Sequence, residues 1–158
     1  MTCCGIGYDA HRLVEGRKLV LGGVEIPHHL GLEGHSDADV LCHAIADALL
    51  GAIGADDIGH HFPNDDESIR GISSLAILAR VRELLAKEGA RVINVDATLI
   101  AEAPKIAPHL PAMREKIAQA LQLDTKRVGL KATTNEGLGT IGRGEGMAAM
   151  AVASVEQG

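Results

Sequence analysis

The sequence predicts an α+β fold, a mixed β-sheet with helices packed on one face, a sandwich of the ferredoxin-like kind. Three observations carry that expectation. Four apolar segments read as strands, and three others repeat apolar residues at helical spacing. Strands and helices alternate only in part, which suits helices gathered on one side of a sheet. The chain has 158 residues, 46% of them hydrophobic, with a mean hydropathy of +0.12. That is enough for one domain, residues 1–158, with a sizeable core. One Tyr, one Phe and no Trp leave Leu, Ile, Val and Ala to fill it, and so little aromatic bulk favours an oligomer.

Residues 2–10 open the chain as a strand. Lys18 to Ile26, KLVLGGVEI, reads as a hairpin turned at Gly22-Gly23. HSDADVLCHAIADALLGA follows, with Ser36 as the expected N-cap and acidic residues in the first turn. Val40, Leu41, Ala44, Ile45, Ala48 and Leu49 repeat at the spacing of an amphipathic helix, which Gly51 or Gly54 would end. Asp57 to Asp66, DIGHHFPNDD, has the Gly, Pro, Asn and Asp content of a loop. A second helix is expected from about Ser73 to Lys87 and stops at Gly89. Arg91 to Ala101 is a long strand. Pro104, Pro108 and Pro111 then interrupt the chain, and a third helix runs to about Leu121. Arg127 to Thr134 is a strand, Asn135 to Gly146 a Gly-rich loop, and Met147 to Val155 the closing strand.

Composition excludes several functions. The formal charge is −6 with no Lys/Arg cluster, so a general nucleic-acid binder is not expected. No apolar run reaches the roughly 18 residues that span a bilayer. The N-terminus lacks the charged start and long apolar stretch of a signal peptide. Three Cys without a CxxC pair indicate neither a disulfide framework nor a cysteine zinc site. Reduced thiols and a cytoplasmic setting are the expectation.

The first strand carries Asp9 and His11 two residues apart, so both side chains share one face. On the first helix Asp39, His43 and Asp47 fall at i, i+4 and i+8 and form one polar stripe. A stripe of this kind is usually a solvated face. The sharper reading makes His43 a third metal ligand, with Asp39 or Asp47 orienting it from behind. Two imidazoles and a carboxylate suit a zinc ion whose fourth position stays open. His35 and Ser36 sit where helix N–H groups could meet an anion. In KATTNEG, Lys131 to Gly137, two Thr hydroxyls precede Glu136, a hard carboxylate of the sort magnesium takes beside substrate phosphates.

Taken together, GIGYDAHRL, LGGVEIP, GHSDADVLCHAIADALLGA, DIGHHFP, NVDATLIAEAPKIAPH and KATTNEGLGTIGRGEG resemble the 2-C-methyl-D-erythritol 2,4-cyclodiphosphate synthase family of the non-mevalonate isoprenoid pathway. The blocks run in order from Gly5 to Gly146. The resemblance implies a cytoplasmic homotrimer with active sites between subunits, in the stand-alone form. The expected reaction is a phosphorus–oxygen lyase step. The 2-phosphate of 4-diphosphocytidyl-2-C-methyl-D-erythritol 2-phosphate attacks the β-phosphorus, the cyclic diphosphate forms and CMP leaves.

By the same resemblance Asp9, His11 and His43 hold one Zn2+ per subunit, and Glu136 reaches a Mg2+ or Mn2+ bound by the diphosphate. His35 and Thr134 are the implied catalytic residues. Ser36 and the backbone of Asp57, Ile58 and Gly59 would bind the substrate's phosphate or erythritol part. Ala101, Pro104, Lys105 and Ile106 would form the cytidine pocket, Ala132 and Thr133 the phosphate site. Arg143 would lie near an apolar axial channel able to hold an isoprenoid diphosphate. The chain departs from the pattern at Asn64, where an acidic residue is usual, at Ser73 in GISS, and at Thr140, where relatives often carry an aromatic. Two rivals use the same residues: a zinc-dependent phosphohydrolase, which needs a base beside a bound water, and a nucleotide-binding module with a structural zinc, which needs a fourth protein ligand.

Overall fold

The structure is a computed structural model that describes all residues from Met1 to Gly158. Five strands form the main sheet: β1 (Thr2–Val14), β4 (Gly31–Leu32), β5 (Ala90–Ile100), β6 (Val128–Thr133) and β7 (Gly146–Gln157). Their order across the sheet is β4-β1-β7-β5-β6. β7 runs antiparallel to both neighbours, while β5 and β6 are parallel. A parallel pair needs a crossover, supplied by α4 (Leu110–Leu121). The long helices α1 (Val40–Ala52) and α3 (Ser74–Lys87) lie with α4 on one face. The mixed α+β sheet with helices on one side is therefore as expected. The ferredoxin-like connectivity is not: the long elements run β-α-α-β-α-β-β, whereas that fold runs β-α-β-β-α-β.

The local elements follow from sequence signals. β2 (Leu19–Leu21) and β3 (Val24–Ile26) pair antiparallel about Gly22 and Gly23, whose φ of 57° and 75° are what a two-residue I′ turn requires. α3 starts at the serine pair of the GISS block, with Ser73 capping Leu75 N at 3.3 Å. That gives this departure from the family pattern a structural task. β1 extends beyond the expected residue 10, since its pairing with β7 continues to Arg12↔Gly146. The 57–66 loop contains one helical turn, α2 (Ile58–His61), and the Gly-rich segment contains another, α5 (Gly139–Gly142).

The N-cap of α1 is Asp39, not Ser36. This corrects a second expectation as well. Asp39 is not on an exposed stripe but fully buried. Its Oδ1 accepts from Cys42 N at 3.1 Å and from Gly22 N at 3.0 Å, and its Oδ2 from Gly23 N at 2.8 Å. Burial pushes its pKa up, the nearby Asp37 charge adds to this, and the three N–H donors act against both. One carboxylate thus caps the helix and holds the hairpin turn to it, satisfying groups that would be costly to bury unpaired.

The core lies between α1 and the sheet, and α1 sits unusually close. A Cβ on Gly5 would come 2.1 Å from Ala48 O, and one on Gly7 would come 1.9 Å from Ala44 O. Backbone meets backbone there, with alanines on the helix side. The opposite face of the sheet is uncovered in this chain and carries exposed Ile6, Tyr8, Met150 and Val152.

Gly7→Ala is therefore expected to cost about 3 kcal/mol or more, beyond ordinary overpacking. Gly51→Ala, whose Cβ would meet nothing nearer than 3.7 Å, should be neutral or stabilise by up to about 1 kcal/mol. Urea unfolding of the two variants tests the contrast.

Candidate metal centre and substrate cleft

β1 places Asp9 and His11 on the helix-covered face of the sheet, and the close approach of α1 brings His43 against them. Asp9 Oδ2 is 2.8 Å from His11 Nε2 and 3.2 Å from His43 Nδ1. The two nitrogens are 3.4 Å apart. A tetrahedral zinc with bonds of about 2.0–2.1 Å separates its donors by roughly 3.3 Å. The three atoms therefore already occupy one face of such a tetrahedron, and they form the one His/Asp group able to hold a metal ion. Burial alone would raise the pKa of Asp9, but hydrogen bonds and charge from both imidazoles outweigh it and bring it to about 2. Its carboxylate is available at any physiological pH.

Both imidazole tautomers follow from their other contacts. His11 Nδ1 lies 2.8 Å from Glu33 O, which can only accept, so Nδ1 keeps its proton and Nε2, the nitrogen that faces Asp9, is the one left to take a metal in place of a proton. His43 Nε2 lies 2.9 Å from Ser74 Oγ. The Ser74 hydroxyl already donates to Asp37 Oδ1, so it accepts from His43 Nε2, and Nδ1, which faces Asp9, is the nitrogen left to take a cation. Such contacts fix a metal-binding imidazole in both tautomer and orientation. The residues that do this for His43 are thus Ser74 and Asp37, with Ser36 Oγ also 3.2 Å from Nε2. Asp39 and Asp47 do not. Asp39 faces the hairpin, and Asp47 accepts from Ile58 N at 2.8 Å, which seats α2.

The metal donors open into a cleft of 350 Å³ lined also by His35, Ser36, Ile58, Gly59, Phe62 and Asn64. Arg17 braces its rim. The guanidinium donates to Leu32 O at 2.9 Å, Gly34 O at 3.0 Å and Ser36 O at 2.9 Å, pinning the segment that carries His35 and Ser36. Asp57 is exposed and caps α2 through His60 N at 3.0 Å.

The other expected residues lie outside this cleft. Ala101 continues the ladder, donating to Thr133 O at 3.0 Å. Ala101 and Ile106 are buried, Pro104 is half-buried and follows a cis bond, and Lys105 is exposed. Thr133 and Thr134 line a separate depression with Ile6, Ile100, Met150 and Val152. Every residue from Lys131 to Thr140 is exposed, Ala132 and Glu136 among them. Arg143 pairs with Glu145 at 2.7 Å. Both groups of residues hang from one end of the sheet, since Asp9 and Leu99 both register with Ala149.

The model of the YgbB family matches residues 2–156. The chain belongs to the YgbB family. A curated relative within reach of this family match is the 2-C-methyl-D-erythritol 2,4-cyclodiphosphate synthase of Alkaliphilus metalliredigens, 59% identical over 97% of this chain and 96% of its own. Among solved structures, the bifunctional IspDF from Campylobacter jejuni superposes with a TM-score of 0.95 at 39% identity, over 100% of this chain and 43% of that one. The CDP complex of IspF from Plasmodium falciparum gives 0.85 at 33% identity, over 99% and 96%.

Ser74, Asp37 and Arg17 are site residues of this family member that sequence reading missed. Ser74 had a signal. It stands three and four residues before Ile77 and Leu78 on the buried face of α3, where a hydroxyl needs a partner. Arg17 had none, because its three acceptors are carbonyls. Ser74→Ala should weaken zinc binding about 10–100-fold with little change in circular dichroism. His43→Ala should abolish zinc binding, as measured by titration against a chelator. Unchanged affinity in both would remove the metal centre.

Proposed function

We propose that this chain is a cyclodiphosphate synthase acting in isoprenoid precursor synthesis: it converts 4-diphosphocytidyl-2-C-methyl-D-erythritol 2-phosphate to 2-C-methyl-D-erythritol 2,4-cyclodiphosphate and CMP. The observation that carries this reading is the preset donor trio, Asp9, His11 and His43, opening into a polar-rimmed cleft in a member of the YgbB family. A new bond forms between the 2-phosphate oxygen and the β-phosphorus, and the bond from the β-phosphorus to the CMP oxygen breaks. Both partners are anions, so catalysis is alignment and charge neutralisation. Neither a covalent intermediate nor a strong base is required.

Zn2+ held by Asp9, His11 and His43, and Mg2+ or Mn2+ reached by Glu136, would supply Lewis-acid charge at phosphoryl oxygens. The chain's own groups do the rest. His35 and Ser36, braced by Arg17, donate to the phosphate or erythritol end, helped by the backbone of Asp57 to Gly59. Thr134 keeps its hydroxyl proton for a phosphate oxygen, since its Oγ1 is the acceptor for Glu136 N at 3.2 Å. Thr133 and the backbone at Ala132 extend that phosphate site. Ala101 and Ile106 offer backbone groups to the cytosine edge, with Pro104 shaping the turn and Lys105 free to meet the phosphates. Asn64, in the cleft, substitutes a carboxamide for the family's usual acidic group.

Assembly completes the site. The bare sheet face with Ile6, Tyr8, Met150 and Val152, and the uncovered run from Lys131 to Thr140, support a homotrimer in which the zinc half of one subunit faces the cytidine half of the next. No helix is long and apolar enough to cross a membrane, in keeping with a cytoplasmic enzyme. Arg143, held by Glu145, would border the trimer's axial channel, where an isoprenoid diphosphate could sit.

Phosphorus NMR of the reaction should show a cyclic diphosphate together with CMP. A linear phosphate product would instead identify a phosphohydrolase. Mixed refolding tests the interface: His11→Ala, and Lys105→Ala combined with Thr134→Ala, should each be inactive, and a mixture should recover a minority of wild-type turnover. Mixed trimers seen by mass spectrometry without activity would place each site within one chain.

A further inference from the structure

We infer that Glu102 is a positioning residue that holds the Glu136 loop in its working shape, an inference that rests on the reading of Glu136 given above. Glu102 stands in the cytidine stretch, yet its side chain turns to the other segment. Its Oε1 accepts from Asn135 N at 3.2 Å and from Gly137 N at 3.0 Å. These two donors bracket Glu136 on either side. Glu136 itself has φ 52° and Gly137 has φ 73°, two left-handed residues in a row, the first of them not glycine. Such a backbone persists only when its surroundings hold it there.

Little else in the chain does so. The whole run from Lys131 to Thr140 is exposed, so no buried side chain of its own anchors the loop. Between Thr134 and Leu138 the other hydrogen bonds are local: Glu136 N to Thr134 Oγ1 at 3.2 Å, Leu138 N to Asn135 O at 2.9 Å, Asn135 Nδ2 to Leu138 O at 2.8 Å, and Gly142 N to Leu138 O at 3.0 Å, which joins the turn to α5. They shape the turn but do not anchor it. Glu102 is the one side chain from outside the Thr134–Leu138 turn that hydrogen-bonds to it, and it ties Asn135 and Gly137 to the stretch after β5. Its two bonds are also charge-assisted, with an ionised acceptor serving two backbone amides, and so stronger than the local ones. The tie links the segment read as holding cytidine to the carboxylate read as meeting the second cation. Glu102 needs no contact with substrate to do this.

Two variants and two readouts test the role. Amide exchange by NMR, without substrate, should speed up at least about tenfold at Asn135 and Gly137 in Glu102→Ala and stay near wild type in Glu102→Gln, whose carboxamide oxygen accepts the same two donors. In a magnesium titration of CMP release, Glu102→Ala should need about tenfold more cation for half-activation while kcat at saturation recovers. Glu102→Gln should restore most of the cation response. Unchanged exchange in Glu102→Ala would overturn the inference, because the loop would then be held without it. Faster exchange with an unshifted magnesium curve would overturn it too, since the loop's shape would not be what places Glu136. A wild-type protein that releases no CMP would count against the functional reading instead, and the exchange arm would still decide the loop.

Discussion

The close approach of α1 to β1 is the constraint on which the rest depends. With side chains at positions 5 and 7 the helix would stand off from the sheet, because a Cβ there would sit about 2 Å from the Ala48 and Ala44 carbonyl oxygens. A helix displaced by even 1–2 Å would carry His43 away from Asp9 and His11. The donor spacing of 2.8–3.4 Å is thus a property of backbone packing, set one residue away from the ligand itself. The alanines of α1 and of β7 serve the same end. Ala44, Ala48, Ala149, Ala151 and Ala153 are all essentially fully buried, and small residues let helix and sheet lie close at native packing density.

A buried carboxylate, Asp39, and a half-buried one, Asp37, fix what the glycines bring near. Asp39 joins the start of α1 to the β2–β3 turn, which sets where the helix begins. Asp37, two residues earlier, receives Ser74 Oγ and Ser74 N, the latter at 2.8 Å, and so joins α3 to the same corner. His43 is held at the end of this chain of contacts. Removing any member leaves a buried polar group unpaired, and that penalty is what makes the arrangement specific.

Much of this was legible in the sequence. Period and punctuation located the strands and helices, and the spacing of Asp9, His11 and His43 offered a candidate metal site that the family resemblance made specific and whose three donor atoms the fold brings together. What escaped has a common physical cause. Asp39 belongs by spacing to the same helical stripe as His43, but its environment is decided by Gly22 and Gly23, which lie 16–17 residues away. Ser74 and Arg17 act on groups 31 and 15–19 residues distant. Periodicity describes one element at a time, and these residues take their roles from where two elements meet. The parallel β5–β6 pair escaped for the same reason, because strand direction within a sheet is set by the crossover and not by either strand's own residues.

The two chain ends have a consequence for how this domain can be built into larger proteins. Met1 N meets Gln157 O at 2.8 Å, and β5 begins beside them, with Ala90 opposite Gln157. His11 lies ten residues further along the chain, roughly 33 Å away at strand rise. Both attachment points therefore sit at the pole opposite the chemistry. A further domain joined at either end starts away from the cleft and from the Glu136 loop. That geometry agrees with the bifunctional protein from Campylobacter jejuni, 43% of whose chain this domain covers, and it leaves the same freedom to anyone tethering this domain to a scaffold.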